Sequence, residues 1–454
     1  MAALAGMLRE RGYRVRGSDQ SVYPPMSDFL AATGIPVFEG YAAANLEPCP
    51  DLVIVGNVVR AVNPEAIRLA ELGIPYLSMP QALGKLFLQD RLPLVVCGTH
   101  GKTTTSSILA TTLHRAGVTP SFMIGGLVEA FGRNFNLSPS PYFVVEGDEY
   151  DTAFFNKVSK FHHYRPHCAI ITSIEFDHAD IFTDLQMIKD SFAEFIARIP
   201  EEGLLVACGD DPVVRELGET ARCPVAFYGT TTDCLWQLTE FQPRGMTTSF
   251  SLLKNGQRFH RLRLPMPGLH NALNATGVTA LMEHLGFSGE AIAAGIAGFE
   301  GVRKRQQIRG EIAGVTVIDD FAHHPSAVRQ TTRALRQAFP DRRLLVVFEP
   351  RTNTSRRAIF QQEYAEAFTG ADLILVREHL MLDTVPPDQQ FSCRQLARDL
   401  REKGLAGEAF KDTTAILDRL EALCTNGDVV VIFSNGGFDG IHERLLEKLR
   451  ARLL

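Results

Sequence analysis

The chain has 454 residues, too many for one hydrophobic core, so two to four domains are expected. Its 45% hydrophobic and 22% charged residues are typical of soluble globular proteins, and the formal net charge of −6 argues against nucleic acid as a partner. The eight cysteines are scattered, which suits reduced thiols. The sequence has no apolar run of the roughly 20 residues that a membrane span needs and no signal-peptide pattern. We therefore expect a cytoplasmic protein with no membrane partner.

The first section, residues 1–90, reads as a Rossmann-like α/β unit that lacks its first strand. It begins with an amphipathic helix in MAALAGMLRERG, continues into a strand in YRVRGSD and has a later strand in DLVIVGN. Such a unit ordinarily begins with a strand and a glycine-rich turn, so we expect both to lie upstream of Met1. A fold that begins with a helix is the alternative.

Strand patterns alternate with amphipathic helices through the rest of the chain, which predicts parallel α/β units. The second section, residues 91–309, has strands at 92–98, 142–148, 168–174 and 203–208, a β-rich insert at 236–267 with a hairpin turn at Asn255-Gly256, and a long helix in GLHNALNATGVTALMEHLG. The third section, residues 310–454, has strands in VTVIDDF, RLLVVFEP, DLILVRE and DVVVIFSNGG and ends in an amphipathic helix. The predicted fold class is therefore α/β in three domains.

The stretch VVCGTHGKTTTSS, residues 95–107, joins an apolar strand to a helix. Backbone N–H groups at a helix N-terminus bind phosphate, a loop lysine neutralises the β- and γ-phosphates, and the hydroxyl after it ligates Mg²⁺. The loop is shorter than the common G-x-x-x-x-G-K-[ST] pattern, because Val96 stands where that pattern has its first glycine. We predict an ATP-binding loop here, and a plain turn is the alternative. The residues of the predicted loop are Gly98, Thr99, His100, Gly101, Lys102, Thr103 and Thr104.

Acidic residues and a histidine follow the next two strands, in EGDEYD (146–151) and EFDHAD (175–180). Ligands bind at the carboxyl ends of parallel strands, and Mg²⁺ takes one or two carboxylates beside phosphate oxygens. The sequence therefore predicts that Thr103, Glu146 and His178 lie at one ligand-binding edge, where the acidic residues suit Mg²⁺. A solvated acidic turn and a structural histidine are the alternatives.

Three further polar segments are candidates for nucleotide contact. GLHNALNA (268–275) opens a helix, where asparagine capping is the alternative explanation. DDFAHHP (319–325) ends a strand, and its four acidic or histidine residues are more typical of a ligand-binding edge than of a plain loop. GVRKRQQIRG (301–310) carries four basic residues, which suit either a triphosphate or a solvated hinge.

Together these segments resemble the Mur ligase family, the ATP-dependent amide-forming enzymes of peptidoglycan synthesis and folate polyglutamylation. The family's short loop G-T-x-G-K-T corresponds to residues 98–103, and EGDEYD, EFDHAD, GLHNALNA, the hinge arginine and DDFAHHP follow in the family's order. The resemblance covers nearly the whole chain. It implies a UDP-sugar domain (1–90), a central ATPase domain (91–309) and a C-terminal peptide-binding domain (310–454), in an enzyme of cell-wall formation.

The resemblance also implies roles for individual residues. Lys102 would bind the γ-phosphate, Thr103 and Glu146 one Mg²⁺ ion, and His178 a second one. Four further residues are expected to contact ATP, the last two from the third domain, so that domain closure completes the site: Asn271, Arg305, Asp320 and His323. The stretch GSD matches the family's contact with uridine, and its residues are Gly17, Ser18 and Asp19.

Within the family, four segments resemble the subgroup that joins UDP-N-acetylmuramate to the recycled murein tripeptide L-alanyl-γ-D-glutamyl-meso-diaminopimelate. They are VYPPMSDFL, SKFHHYRP, EPRTNTSRR and SNGGFDGIHERLL. The expected mechanism passes through an acyl phosphate and yields ADP and phosphate. Peptide contact is assigned to Arg351, Asn353, Ser434 and Asn435.

Three other functions remain open at this point. The subgroup that adds free L-alanine to UDP-N-acetylmuramate has the same ATP-binding segments. A small-molecule kinase would use the same loop but leaves the third section without a purpose. An inactive nucleotide-binding relic would follow from loss of the upstream glycine-rich turn, although Lys102, Glu146 and His178 are all present.

Overall fold

A computed structural model of the chain describes residues 1–22, 26–179, 181–383 and 385–452. Parts of three predicted segments lie outside the described residues: positions 23–25 of VYPPMSDFL, position 180 of EFDHAD and the last two residues of the C-terminal helix. The described chain divides into two compact units. The first comprises residues 1–174, 185–227 and 277–288, and the second comprises 175–184, 228–276 and 289–454.

The N-terminal part of the first unit consists of short helices and two parallel strand pairs. Its elements are α1 (Ala2–Glu10), β1 (Gly17–Asp19), α2 (Met26–Thr33), β2 (Val37–Glu39), β3 (Val53–Val55), α3 (Pro64–Leu72), β4 (Tyr76–Ser78) and α4 (Met79–Leu83). β1 pairs with β2 and β3 pairs with β4. The strand predicted in YRVRGSD is therefore only three residues long.

The rest of the first unit is a largely parallel sheet with its helices. In chain order it contains β5 (Leu92–Cys97), α5 (Lys102–Arg115), β6 (Ser121–Val128), β7 (Arg133–Asn136), β8 (Tyr142–Gly147), β9 (Asp151–Ala153), β10 (Asn156–Ser159), β11 (Cys168–Ile171), α6 (Leu185–Ile196), β12 (Leu204–Cys208), α7 (Pro212–Gly218) and β13 (Val225–Gly229). The strand order is β13-β12-β11-β5-β8-β6-β7. Because β5 lies between β11 and β8, its residues 93–97 are buried and its carboxyl end presents the loop at residue 98 between two neighbours.

The second unit begins with the predicted β-rich insert. The strands β14 (Trp236–Arg244), β15 (Thr247–Lys254) and β16 (Gln257–Leu264) form antiparallel pairs. Asn255 and Gly256 both have positive φ in the two-residue turn between β15 and β16, so the predicted hairpin is confirmed. The helix α8 (Leu269–His284) follows, as the sequence predicted, and then α9 (Gly289–Ala297).

The C-terminal part of the second unit is a six-stranded sheet of order β17-β18-β22-β19-β20-β21, parallel except for β17. Its elements are β17 (Gln307–Ile312), β18 (Val315–Asp320), α10 (Pro325–Ala338), β19 (Leu344–Phe348), α11 (Gln361–Ala367), β20 (Leu373–Arg377), α12 (Cys393–Glu402), β21 (Ala406–Phe410), α13 (Thr413–Leu423), β22 (Val429–Phe433) and α14 (Ile441–Ala451). Helices α10, α11 and α12 cover one face of this sheet, and α13 and α14 cover the other.

A close contact at Gly84 joins the N-terminal part of the first unit to the sheet region. A Cβ atom at Gly84 would lie 2.3 Å from the carbonyl oxygen of His163. We expect Gly84→Ala to lower the free energy of unfolding by about 1–3 kcal/mol, because backbone atoms on both sides must move apart. Gly437→Ala, where no atom lies within 4 Å, is the matched control. Equal thermal unfolding of both variants and the parent would contradict this packing.

Candidate active site

The loop that follows β5 is held in shape by the residues that follow β11. Gly98 has a φ of +126°, and a Cβ atom there would lie 2.3 Å from Thr172 Oγ1 and 2.8 Å from the Ser173 carbonyl oxygen. The backbone N–H of Thr99 donates to that carbonyl at 2.8 Å. Glycine is therefore required by both conformation and space. The loop ends at Gly101, with a φ of +83°, where α5 begins and directs its first N–H groups out of the helix.

Lys102 and Thr103 of the loop contact two acidic residues of EGDEYD. Lys102 Nζ donates to Glu149 Oε2 at 2.9 Å and to the Gly98 carbonyl oxygen at 2.7 Å. Thr103 Oγ1 donates to Glu146 Oε2 at 3.1 Å, and the Gly125 N–H donates to Glu146 Oε1 at 2.6 Å. A hydroxyl beside a carboxylate is a donor set that suits Mg²⁺, so Thr103 and Glu146 fit the predicted metal site.

The acidic turn is partly buried, with the Glu149 side chain only 2% exposed, and its charges are compensated by lysines. Lys160 Nζ lies 3.1 Å from Asp148 Oδ2 and 3.9 Å from the Tyr150 ring centroid. Burial acts to lower the pKa of Lys102, but Glu149 and Asp148 outweigh it and raise this pKa above its usual value. Burial likewise acts to raise the pKa of Asp148, but Lys160 and Lys102 lower it. Both groups are therefore ionised at neutral pH.

In the second unit, the carboxylate of Asp177 is buried and lies within electrostatic range of His178, His323 and His324. His178 has a positive φ of 54°, and its backbone N–H donates to Asp177 Oδ1 at 2.6 Å. Burial acts to raise the pKa of Asp177, but the charges of His178, His323 and His324 lower it well below its usual range. Both predicted histidines therefore act on the same carboxylate, although His178 and His323 stand 145 residues apart in the sequence.

The predicted nucleotide contacts Asn271, Arg305 and Asp320 are also neighbours within the second unit. Asn271 Nδ2 donates to Gln306 Oε1 at 2.9 Å, and the Gln306 N–H donates to Asp320 Oδ2 at 2.8 Å. The Arg305 guanidinium lies 4.4 Å from the Phe321 ring centroid. Gln306 and Arg305 of GVRKRQQIRG thus contact the DDFAHHP segment.

The predicted uridine contacts lie on β1. Ser18 Oγ donates to Glu65 Oε2 at 2.6 Å, while Asn45 Nδ2 donates to Glu65 Oε1 at 2.7 Å. Asp19 Oδ1 accepts the Ser21 N–H at 3.1 Å, and Gly17, the third predicted contact, begins the strand. The side chain of Ser18 is therefore fixed by a carboxylate from α3.

The predicted peptide contacts lie at the carboxyl ends of β19 and β22. Arg351 packs against Gly436, where a Cβ atom would lie 2.2 Å from Arg351 Nη1. Asn353 Oδ1 accepts a hydrogen bond from Arg356 Nη2 at 3.3 Å.

The neighbouring SNGG segment is anchored by an ion pair. Ser434 Oγ donates to Glu349 Oε2 at 2.5 Å, and Glu349 Oε1 lies 2.8 Å from Arg377 Nη1. Among the described residues, Asn435 Oδ1 is a buried side-chain oxygen without a hydrogen-bond partner. An acceptor of this kind is suited to a ligand amine or amide.

Several residues that shape these groups were missed by the sequence reading. Glu149 lies in EGDEYD and Asp177 in EFDHAD, the segments from which Glu146 and His178 were assigned roles. The positive charges of Lys102 and of the histidines require a nearby carboxylate, and this requirement was the available signal. Lys160 and Gln306 gave no such signal, because their partners lie 12 and 35 residues away and contact them only in the folded chain.

The pKa of Asp320 predicts a pH-dependent stability. Burial raises this pKa to about 6, although Arg305 and the N–H groups of Ala322 and Gln306 act in the opposite direction. A carboxyl group whose pKa is higher in the folded than in the unfolded chain costs stability as the pH rises from about 4 to about 6, by roughly 3 kcal/mol in total.

We therefore expect the thermal unfolding midpoint of Asp320→Asn to rise relative to the parent chain as the pH is taken from 4 to 7. The exposed Asp383→Asn is a suitable control, because its carboxyl group lies on the surface. A difference between Asp320→Asn and the parent that does not vary with pH would contradict the assignment.

The whole chain is similar to proteins of one family. Family models match along the chain: the Mur ligase family catalytic domain over residues 1–91, the Mur ligase middle domain over 96–282 and the Mur ligase glutamate ligase domain over 304–436. No helix in the part of the chain that the structure describes is long and apolar enough to cross a membrane.

Individual relatives match over almost their full length. A UDP-N-acetylmuramate–L-alanyl-γ-D-glutamyl-meso-2,6-diaminoheptandioate ligase of Haemophilus influenzae is 36% identical, over 100% of this chain and 97% of the relative. A UDP-N-acetylmuramate–L-alanine ligase of Geotalea daltonii is 33% identical, over 99% and 96%. The crystal structure of a murein peptide ligase from Psychrobacter arcticus is 32% identical, with a TM-score of 0.74 over 99% of this chain and 96% of that one. The chain therefore belongs to the Mur ligase family, has its three-domain α/β fold, is similar to murein peptide ligase and is an amide-bond-forming ligase of peptidoglycan synthesis.

Proposed function

We propose that the chain joins UDP-N-acetylmuramate to L-alanyl-γ-D-glutamyl-meso-diaminopimelate, with ATP converted to ADP and phosphate. The observation that carries the ATP-dependent part is the group of hydrogen bonds that joins Lys102 to Glu149 and Thr103 to Glu146 at the loop after β5. The choice of tripeptide is supported by the Haemophilus influenzae relative, which is 36% identical over the whole chain and is named for that reaction.

The reaction proceeds in two steps. An oxygen of the muramate carboxylate attacks the γ-phosphorus of ATP, the bond to the β-phosphate oxygen breaks, and an acyl phosphate and ADP result. The free amine of the tripeptide then attacks the acyl carbon, phosphate leaves with one former carboxylate oxygen, and the amine loses a proton. Neither step needs a covalent bond to the protein, so the protein acts by positioning reactants and stabilising charge.

The loop residues supply that positive charge and orientation. Lys102 neutralises the γ-phosphate, and the N–H groups at the start of α5 bind phosphate oxygens. Mg²⁺ held by Thr103 and Glu146 would supply further positive charge to those oxygens, and His178 is proposed as ligand of a second ion. The nucleotide contacts are assigned to the loop residues 98–104 and to Asn271, Arg305, Asp320 and His323.

The two remaining substrates are assigned to other parts of the chain. UDP-N-acetylmuramate is assigned to residues 1–90, with Gly17, Ser18 and Asp19 near uridine. The peptide is assigned to residues 310–454, and the proposed contacts are Arg351, Asn353, Ser434 and Asn435. Residues 91–309 form the ATPase domain in this proposal.

Release of ADP with different amines tests the proposed acceptor. With ATP, Mg²⁺ and UDP-N-acetylmuramate present, the tripeptide should support ADP release and a product of matching mass, whereas free L-alanine should not. Lys102→Met should lower the rate with the tripeptide by at least about 100-fold, because the positive charge that stabilises the transferring phosphoryl group is lost. Turnover with L-alanine but not with the tripeptide would instead identify an L-alanine-adding ligase.

A further inference from the structure

Glu149 pairs with the loop lysine inside the first unit. Its carboxylate lies 2.9 Å (Oε2) and 3.3 Å (Oε1) from Lys102 Nζ, and its side chain is only 2% exposed. Lys102 is 13% exposed and also donates to the Gly98 carbonyl oxygen at 2.7 Å. The three shortest contacts of this ammonium are therefore with the Glu149 carboxylate and the Gly98 carbonyl oxygen.

The other carboxylates of EGDEYD have different partners. Glu146 accepts from Thr103 Oγ1, Asp148 pairs with Lys160, and Asp151 pairs with Lys157 on the surface. Among the ion pairs of the described residues, Glu149 is the acidic side chain of this turn that contacts Lys102. The pairing is thus specific to one position and is not a general property of the acidic turn.

A buried ammonium can satisfy only a limited number of anions at once. A lysine at this place in a phosphate loop serves the terminal phosphates of a nucleotide, and in low dielectric both a carboxylate and a phosphate bind it strongly. A terminal phosphate brought to Lys102 would meet an ammonium whose charge is already compensated. Phosphate and Glu149 therefore compete for the same group.

We propose that Glu149 is the positioning residue of Lys102: it holds the ammonium in the nucleotide-free loop and is the anion that the terminal phosphate of ATP must displace. This inference rests on the proposed function, because it takes Lys102 as the phosphate-binding lysine. It goes further in assigning a role to Glu149, which sets how tightly the loop binds a triphosphate.

Nucleotide affinity measured by calorimetry without the other substrates tests the proposal. In EDTA, which leaves the phosphate charge without a metal, Glu149→Gln should bind ATP about tenfold more tightly than the parent, because the competing charge is gone while the hydrogen bond to Lys102 is kept. ADP affinity should change by less than about threefold, since ADP lacks the γ-phosphate and offers Lys102 only its β-phosphate.

Asp151→Asn is the matched control. It removes one negative charge from the same turn, but from a side chain that pairs with Lys157, which is 68% exposed. We expect its ATP and ADP affinities to equal those of the parent. An increase in ATP affinity as large as that of Glu149→Gln would overturn the proposal in favour of a general electrostatic effect.

Two further variants keep the test decisive. On a Lys102→Met background, Glu149→Gln should no longer change ATP affinity, because the group through which it acts is absent. Glu149→Asp keeps the charge but moves it one methylene away from Lys102, and should tighten ATP binding in the same direction by a smaller factor. Unchanged or weaker ATP binding in both Glu149 variants, or an equal effect with and without Lys102, overturns the proposal.

The outcomes for the inference and for the proposed function are distinguishable. A parent chain that binds ATP with an affinity insensitive to Glu149→Gln overturns the inference alone. A parent chain that binds no nucleotide, with or without Mg²⁺, overturns both. Reaction with L-alanine in place of the tripeptide revises the acceptor and leaves the role of Glu149 intact.

Discussion

The contact between Gly98 and the backbone after β11 is the constraint on which the candidate site depends. It leaves no room for a side chain at residue 98, and it fixes the Thr99 N–H on the Ser173 carbonyl oxygen. The loop is therefore packed against the end of a neighbouring strand. This packing directs Lys102 and Thr103 towards the acidic turn after β8.

Charge compensation decides what the buried residues around this loop are able to do. An isolated buried lysine or carboxylate is costly, so such groups persist only in pairs or with backbone donors. In the first unit, the pairs Lys102–Glu149 and Lys160–Asp148 satisfy this rule. In the second unit, Asp177 is stabilised by histidines, whereas Asp320 depends on two backbone N–H groups and has a raised pKa.

The sequence predicted the central strands and the chemistry at their ends, and it did so for physical reasons. Strands such as β5, β19 and β22 are buried on both faces, so each is a continuous apolar run followed by polar residues. The short strands at the sheet edges, β7 and β17 among them, were not predicted, because they are half-exposed and mix polar with apolar residues. The hairpin at Asn255-Gly256 was predictable because the turn itself requires those residues.

The hydrogen-bond and ion-pair partners of the site residues were less predictable from the sequence than the site residues themselves. The sequence singles out Lys102 and the acidic turn, but only the folded chain shows that Glu149 pairs with that lysine while Glu146 accepts from Thr103. The pairing of Asn271 with Gln306 likewise depends on the return of the chain after α9. Such contacts follow from tertiary geometry, which local patterns do not encode.

We propose that ATP activates the carboxylate of UDP-N-acetylmuramate as an acyl phosphate at the loop that contains Lys102. Transfer of ¹⁸O tests it most directly, with both carboxylate oxygens of UDP-N-acetylmuramate labelled and the released phosphate analysed by mass spectrometry. Formation of the amide should transfer one labelled oxygen to each phosphate, because the carboxylate oxygen becomes the bridge of the acyl phosphate. Unlabelled phosphate would show that water attacks ATP and would contradict the account.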